Sequence, residues 1–341
     1  MKKTPNFKAM FEEIEKERGI KEEDLIAALK DALLSAAKKR IENTENLEVR
    51  MDPDLTARIF DKETGAEVTP SDFGRIAAQT AKQVIVQRLR EAEKEGTFTE
   101  FTAKVGELIN GTVQRQEYSG YLINIGKLET YLANSDVIPG EVLRPKERVK
   151  LLIQEVKKTS KGPLVVISRT HPDFIKRLFE AEIPEIAEGI IEIKAIAREP
   201  GRRTKVAVSS KDPDIGAVGT CIGPMGSRIQ NITKEVKNER IDVIEWSDKH
   251  DVYIANALAP ARSVKVKLKD GVAKVILPEK ELSLAIGKDG QNVRLAAKMT
   301  GYKIDIVSDE KMKEEENKAK EENKVKEENK VKEEKNKEGA E

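Results

Sequence analysis

Two stretches of this 341-residue chain place glycines three apart between apolar segments: "CIGPMGSRIQNITKE" from Cys221 and "AIGKDGQNVRLAAKM" from Ala285. Glycine lacks a Cβ, so a turn built on it lets another backbone come close. If each turn opens a helix, the free N–H groups at the helix start carry partial positive charge, and Lys288 adds a full one. That combination suits the binding of a phosphodiester chain. Residues for covalent or metal chemistry are scarce. Cys221 is the sole cysteine, the two histidines His171 and His250 stand far apart, and no G-x-S-x-G, Walker A or H-E-x-x-H pattern occurs. No catalytic residue, metal site or cofactor is expected, and the reading is a binding protein, not an enzyme.

The two stretches sit in one repeated frame. Ile222 precedes Gly223 as Ile286 precedes Gly287, and Gly226 and Gly290 follow three residues later. Ile229 and Val293 come next, and "RIDVI" from Arg240 answers "KIDIV" from Lys303. With "TKVAVSS" and "GVAKVILPE" upstream, each unit reads strand, helix, G-x-x-G, helix, strand. A loop of that kind beside a sheet is the KH mode of holding about four nucleotides of single strand. A lone G-x-x-G is as well explained by a ligand-free helical turn; the matched pair favours RNA.

The elements that must position these loops follow from patterning. Over residues 105–170, "VGELINGTVQRQEYSGYLINIGKLETYLA" and "RVKLLIQEVKK" with "GPLVVISRT" alternate apolar and polar with glycines at the turns, which predicts a small five-stranded OB-type barrel. Tyr118, Tyr121 and Tyr131, with Arg115 near them, are its candidate base-stacking residues, each stacked base contributing about 1–3 kcal/mol. Any one tyrosine is more often partly buried packing; three clustered on adjacent strands bring the two readings level. Residues 1–100 read helix, helix, two strands around Asp52-Pro53-Asp54, helix. One helix buries Leu25, Ile26, Leu29, Ala32, Leu33, Ala36 and Ala37; the last begins at a capping signal in "TPSDF", runs to about residue 95 and buries Phe73, Ile76, Ala77, Thr80, Ala81, Val84 and Leu89. Residues 309–341, where "KEENKV" recurs at Lys320 and Lys326, have nothing to bury and are expected to be disordered.

Charge is uneven. Residues 101–308 hold 34 Lys and Arg against 27 Asp and Glu, while acids are in surplus on both sides. A polyanion should therefore meet the middle of the chain. No apolar run reaches membrane-spanning length and the N-terminal stretch lacks a signal-peptide core, so no membrane partner and a cytoplasmic location are expected.

Over roughly residues 1–308 the chain resembles the NusA family of bacterial transcription elongation, termination and antitermination factors. The strings that carry the likeness are "DFGRIAAQTAKQVI" (72–85), "IPGE" (138–141), "RLFEAEIPEIAEGIIEIKAIAREPGRRTKVAV" (177–208), "CIGPMGSRIQ" (221–230) and "AIGKDGQNVRLAAKMTGYKIDI" (285–306). The resemblance implies a multidomain α+β fold with a helical/β domain at 1–100 that docks on RNA polymerase. It further implies an S-one-type OB-fold barrel at 105–170, a first KH domain at 171–248, a second at 249–308, and a charged tail from 309. It implies binding of nascent single-stranded RNA, effects on pausing, hairpin-dependent termination and antitermination, other Nus factors as partners, and a monomer. Carried over by position, Gly223, Gly226, Gly287 and Gly290 are loop glycines and Lys288 a phosphate contact. Arg228, Gln291, Asn292 and Arg294 are RNA contacts that follow the loops. Arg198, Arg202, Arg203 and Lys205 serve either as backbone attraction or as a solvated turn. The first loop departs from the family in carrying Pro224-Met225 where a basic residue is common, which leaves its grip on phosphate open. Ala133-Asn134 replace a common proline, and the acidic C-terminal repeats of some members have no counterpart in the tail.

Overall fold

The computed structural model describes residues 14–16, 19–39, 41, 46–52 and 56–313. The first predicted helix and the 309–341 tail therefore lie largely outside the described residues, as do Pro53 and Asp54 of the first turn. Two compact units divide the chain: Met1–Lys104 with Val156–Val165, and Val105–Glu155 with Val166–Glu341.

In the first unit, helix α1 (Glu22–Lys38) and helix α2 (Phe73–Ala103) flank the hairpin β1 (Leu47–Met51) and β2 (Ala57–Asp61). The predicted stripe of α1 is present, with Leu25, Leu29, Leu33 and Ala37 fully inside against Leu47, Val49, Ile59 and Phe73. Helix α2 differs from expectation in two ways. Asp72 makes no side-chain cap, and the helix runs on through "GTFTEFTA" to Ala103. There Thr97, Thr99 and Thr102 return their hydroxyl hydrogens to carbonyls four residues back, which satisfies these polar side chains within the helix. Ile85 reaches deeper than the predicted Val84. The hairpin tip Val156–Val165 joins this unit through Lys158, whose Nζ lies 2.5 Å from Glu95 and 5.7 Å from the Phe98 ring centre.

The second unit begins with strands β3 (Leu108–Glu117), β4 (Gly120–Asn124), β5 (Glu129–Ala133), β6 (Arg148–Thr159) and β7 (Gly162–Ser168), in the order β5-β4-β3-β6-β7. This is the expected five-stranded barrel, nearly closed. Gly111 permits its curvature, since a Cβ there would fall 2.5 Å from Ile123 and 2.7 Å from Leu151.

Two copies of one mixed topology follow. The first has helix α3 (Pro172–Glu182), strands β8 (Ile191–Glu199) and β9 (Arg203–Ser210), helices α4 (Ala217–Ile222) and α5 (Ser227–Glu235), and strand β10 (Arg240–Glu245). The second has α6 (His250–Ala257), β11 (Lys265–Lys269), β12 (Val272–Leu277), α7 (Glu279–Ile286), α8 (Gln291–Thr300) and β13 (Lys303–Ser308). In each, the middle strand runs antiparallel to the first and parallel to the last. The copies share a core: Ala197, Ala207 and Ile244 of the first pack with Ile254, Ala257, Leu258, Leu295 and Ala296 of the second. The alanines on that sheet face let the helices of the second copy approach closely.

Candidate nucleic-acid interface

The two glycine loops adopt the same backbone path. Gly223 and Gly287 have φ/ψ of 76°/172° and 74°/172°, Met225 and Asp289 have 50°/24° and 54°/26°, and Gly226 and Gly290 have 77°/15° and 70°/15°. Three of the four residues in each loop therefore hold positive φ, where glycine is unstrained and other L-residues are not. The first and last glycines differ in their surroundings. A Cβ on Gly287 would lie 2.8 Å from Asn292 Cβ, and one on Gly223 would lie 2.8 Å from Arg228 Cγ. A Cβ on Gly290 would meet nothing within 4 Å, and one on Gly226 would make only ordinary contact with Gln230 at 3.6 Å and Ile229 at 3.9 Å. So the first glycine lets the loop press on the following helix, while the last leaves room for a side chain, with open space at Gly290. Met225 is fully exposed, and Ile222 and Ile286 are exposed beside the loops.

The sequence places Arg228 and Asn292 against RNA; the structure gives Asn292 a different task and Arg228 an internal contact as well. Asn292 has no exposed surface, and its Nδ2 donates to the carbonyls of Leu258, Leu284 and Ala285 at 3.0–3.1 Å. It lies on the inner stripe of α8 with Leu295, Ala296 and Met299. Half-buried Arg228 donates to the Thr220 carbonyl at 2.9 Å and pairs with Glu185 at 3.0 Å. Both side chains reach back from the second helix to fix the first, and so set the loop between them. Cys221, behind the first loop, is buried, which pushes its thiol up to about 11 and keeps it protonated.

At the junction of the two copies, Arg202, Lys288, Asp289, Gln291 and Arg294 line a concavity of about 290 Å³. Lys288 and Arg202 are exposed. Gln291 and Arg294 face Glu199, at the end of β8, at 2.8 and 2.6 Å, and Arg294 also donates to the Asp289 carbonyl at 3.3 Å. The hydrogen bond from Arg294 is the main reason the Glu199 carboxyl titrates below its ordinary range, with Gln291 and the charge of Arg202 adding to it.

The other basic residues of the β8–β9 hairpin are corrected: neither RNA attraction nor a solvated turn describes Arg198, Arg203 or Lys205. Arg198 is buried in a bidentate pair with Glu239 at 2.9 Å, and Glu239 also accepts from Gly201 N and Thr204. Arg203 pairs with Asp242 at 2.6 Å. Lys205 donates to the Ala259 carbonyl at 2.9 Å across the two copies, and burial lowers its pKa to about 8. Sequence reasoning also missed Arg169. Its guanidinium takes both oxygens of buried Glu141 at 2.9 Å, then the carbonyls of Lys150 and Glu235, tying barrel to first copy. The Phe174 ring lies 5.0 Å from the Arg169 guanidinium and 5.8 Å from that of Arg198.

Among the barrel residues, Tyr121 is corrected: it is 4% exposed and alternates inward with Ile123 and Ile125, so it packs the barrel and offers no face to a base. Tyr131 is half-buried, its hydroxyl 2.6 Å from that of Ser119. Tyr118 stands wholly exposed at the β3–β4 turn, and exposed Arg115 pairs with Glu117 at 2.9 Å.

The paired loops and sheets define a protein with tandem KH domains behind a small barrel. Residues 169–246 match the family described as NusA-like first KH domain, 250–314 the NusA-like second KH domain, and 6–64 with 57–95 the NusA N-terminal domain. The chain is 42% identical over 334 residues to the transcription termination/antitermination protein NusA of Halalkalibacterium halodurans, covering 88% of this chain and 87% of that one. It is 41% identical to that of Bacillus subtilis, covering 88% and 90%, and 33% identical to that of Rickettsia prowazekii, covering 90% and 68%. The chain belongs to the NusA family. Among the described residues no helix is long and apolar enough to cross a membrane.

Proposed function

We propose that this protein is a cytoplasmic transcription factor that holds nascent single-stranded RNA on its barrel and KH domains while residues 1–100 hold RNA polymerase. Through this double hold it modulates pausing, hairpin-dependent termination and antitermination, together with other Nus factors, and does so as a monomer without catalysing a reaction. The observation that carries the reading is the pair of identical loop paths at Gly223–Gly226 and Gly287–Gly290, each exposed at a helix start. Backbone phosphates would follow Lys288, Arg202 and the loop amides, and bases would lie toward Ile222, Ile286 and Tyr118. Joining two weak contacts raises the effective concentration of each to about the millimolar range, so neither needs to be tight alone. Relatives named as termination/antitermination proteins support the assignment.

The test combines three readouts on the full chain: co-precipitation of bacterial RNA polymerase, retention of labelled single-stranded RNA with magnesium present, and dwell time at a hairpin pause. Polymerase capture, intact bound RNA and a longer dwell are expected. Cleaved RNA, or a dwell unaffected by saturating protein, contradicts the reading.

A further inference from the structure

Two of the residues lining the junction concavity, Gln291 and Arg294, are held by an acid from outside its lining, Glu199. Both oxygens of the Glu199 carboxylate are engaged, one by Arg294 Nε at 2.6 Å and the other by Gln291 Nε2 at 2.8 Å. Gln291 and Arg294 lie three apart on the first turn of α8, directly after Gly290, so they share a face. Arg202 and Lys288 line the same hollow, and Lys288 has no ion-pair partner among the described residues. A carboxylate and a phosphodiester present the same charge and similarly placed acceptor oxygens, and an arginine side chain recognises either.

Resting on the RNA-binding reading above, we propose that Glu199 is an intramolecular stand-in for phosphate: it occupies a subsite made by Arg202, Lys288, Gln291 and Arg294, and an RNA phosphate takes its place. The arrangement favours exchange over a permanent lock. The Arg294 side chain is 54% exposed and that of Glu199 22%, so solvent, and a ligand, reach the pair from the arginine side, and an ion pair open to solvent on one side is more weakly held than a buried one. An incoming phosphate gains the same donors and adds Lys288 and Arg202, which Glu199 does not bond. With Glu199 engaged, the three cations of the hollow face two carboxylates, its own and that of Asp289 at the rim. When Glu199 swings away, the positive charge left for the ligand rises by one. The first domain, which supplies Glu199, thereby sets how readily the loop of the second takes up a phosphate.

Glu199→Gln keeps the shape and removes the charge. Binding of short single-stranded oligoadenylate at low salt should tighten by about two- to fivefold, and log K should fall more steeply with log salt. Glu199→Gln combined with Arg294→Gln should lose that gain. Glu199→Asp, which draws the carboxylate back by one methylene, should fall between. A second readout needs no RNA: the Arg294 side-chain nitrogen resonance, titrated with inorganic pyrophosphate, should respond at lower concentration in Glu199→Gln than in the parent. Equal or weaker binding by Glu199→Gln in both assays overturns the stand-in role while leaving RNA binding by the parent intact. A pyrophosphate response with no RNA binding by either protein supports the subsite and sinks the RNA reading instead.

Discussion

Asn292 donates to the Leu284 carbonyl at 3.1 Å, and Arg228, sixty-four positions earlier, donates to the Thr220 carbonyl at 2.9 Å. The acceptors are related by the same offset as the donors. Two unlike side chains thus close the same turn in the two KH domains, and the Gly223 and Gly287 dihedrals agree to 2° in φ as a result.

Removing the Asn292 amide should therefore loosen the second loop. Asn292→Ala leaves the carbonyls of Leu258, Leu284 and Ala285 without this donor, at a cost of about 1–3 kcal/mol. The urea midpoint of the full chain should fall, and RNA affinity should fall with it because the loop is no longer held.

The last glycine separates binding from folding. Gly290→Asp enters open space, so the main folding cost is the left-handed backbone, about 1 kcal/mol. The added carboxylate stands where phosphate would pass. RNA affinity should drop at least tenfold while polymerase capture is unchanged. Gly287→Ala should behave differently, since its Cβ would press on Asn292, and it should lower the thermal midpoint as well.

Tyr118 and Tyr121 should exchange the roles their proximity suggests. Tyr118→Ala should cost about 1–3 kcal/mol of RNA binding with an unchanged melting temperature. Tyr121→Ala empties the barrel interior and should cost about 3–5 kcal/mol of stability.

Lys205 supplies a pH test. Its folded pKa, about 8, lies below the ordinary 10.5, so between these values the unfolded chain binds more protons than the folded one. Stability must therefore rise with pH across that window, by up to about 3 kcal/mol from this group, and the burdened charged form persists below pH 8. Lys205→Met, with Asp242 still paired to Arg203, should lack this rise. Denaturant midpoints of the two proteins should converge or cross as the pH is raised from 8 to 10.5.

Much of this was legible in local pattern. The repeated glycine spacing located both loops, and alternation over residues 105–170 located the barrel. Tyr121 and Asn292 were misplaced although the signal was present: Tyr121 keeps step with Ile123 and Ile125, and Asn292 with Leu295, Ala296 and Met299. A polar group on an apolar stripe marks an internal hydrogen bond more often than a ligand contact. Arg198, Arg203 and Lys205 were not legible from their own segment. Their partners Glu239 and Asp242 lie some forty residues on, brought alongside by the parallel pairing of β9 with β10. Glu199 is further removed still, meeting Arg294 only because two domains share a core.

The central claim is that the exposed glycine loops grip a nucleic-acid backbone, and the salt dependence of single-stranded RNA binding tests it most directly. For the full chain, log K should fall linearly with log salt, and Lys288→Ala should reduce the slope by about 0.7. A flat dependence, or the same slope and affinity in the parent, Lys288→Ala and Gly290→Asp, would contradict it.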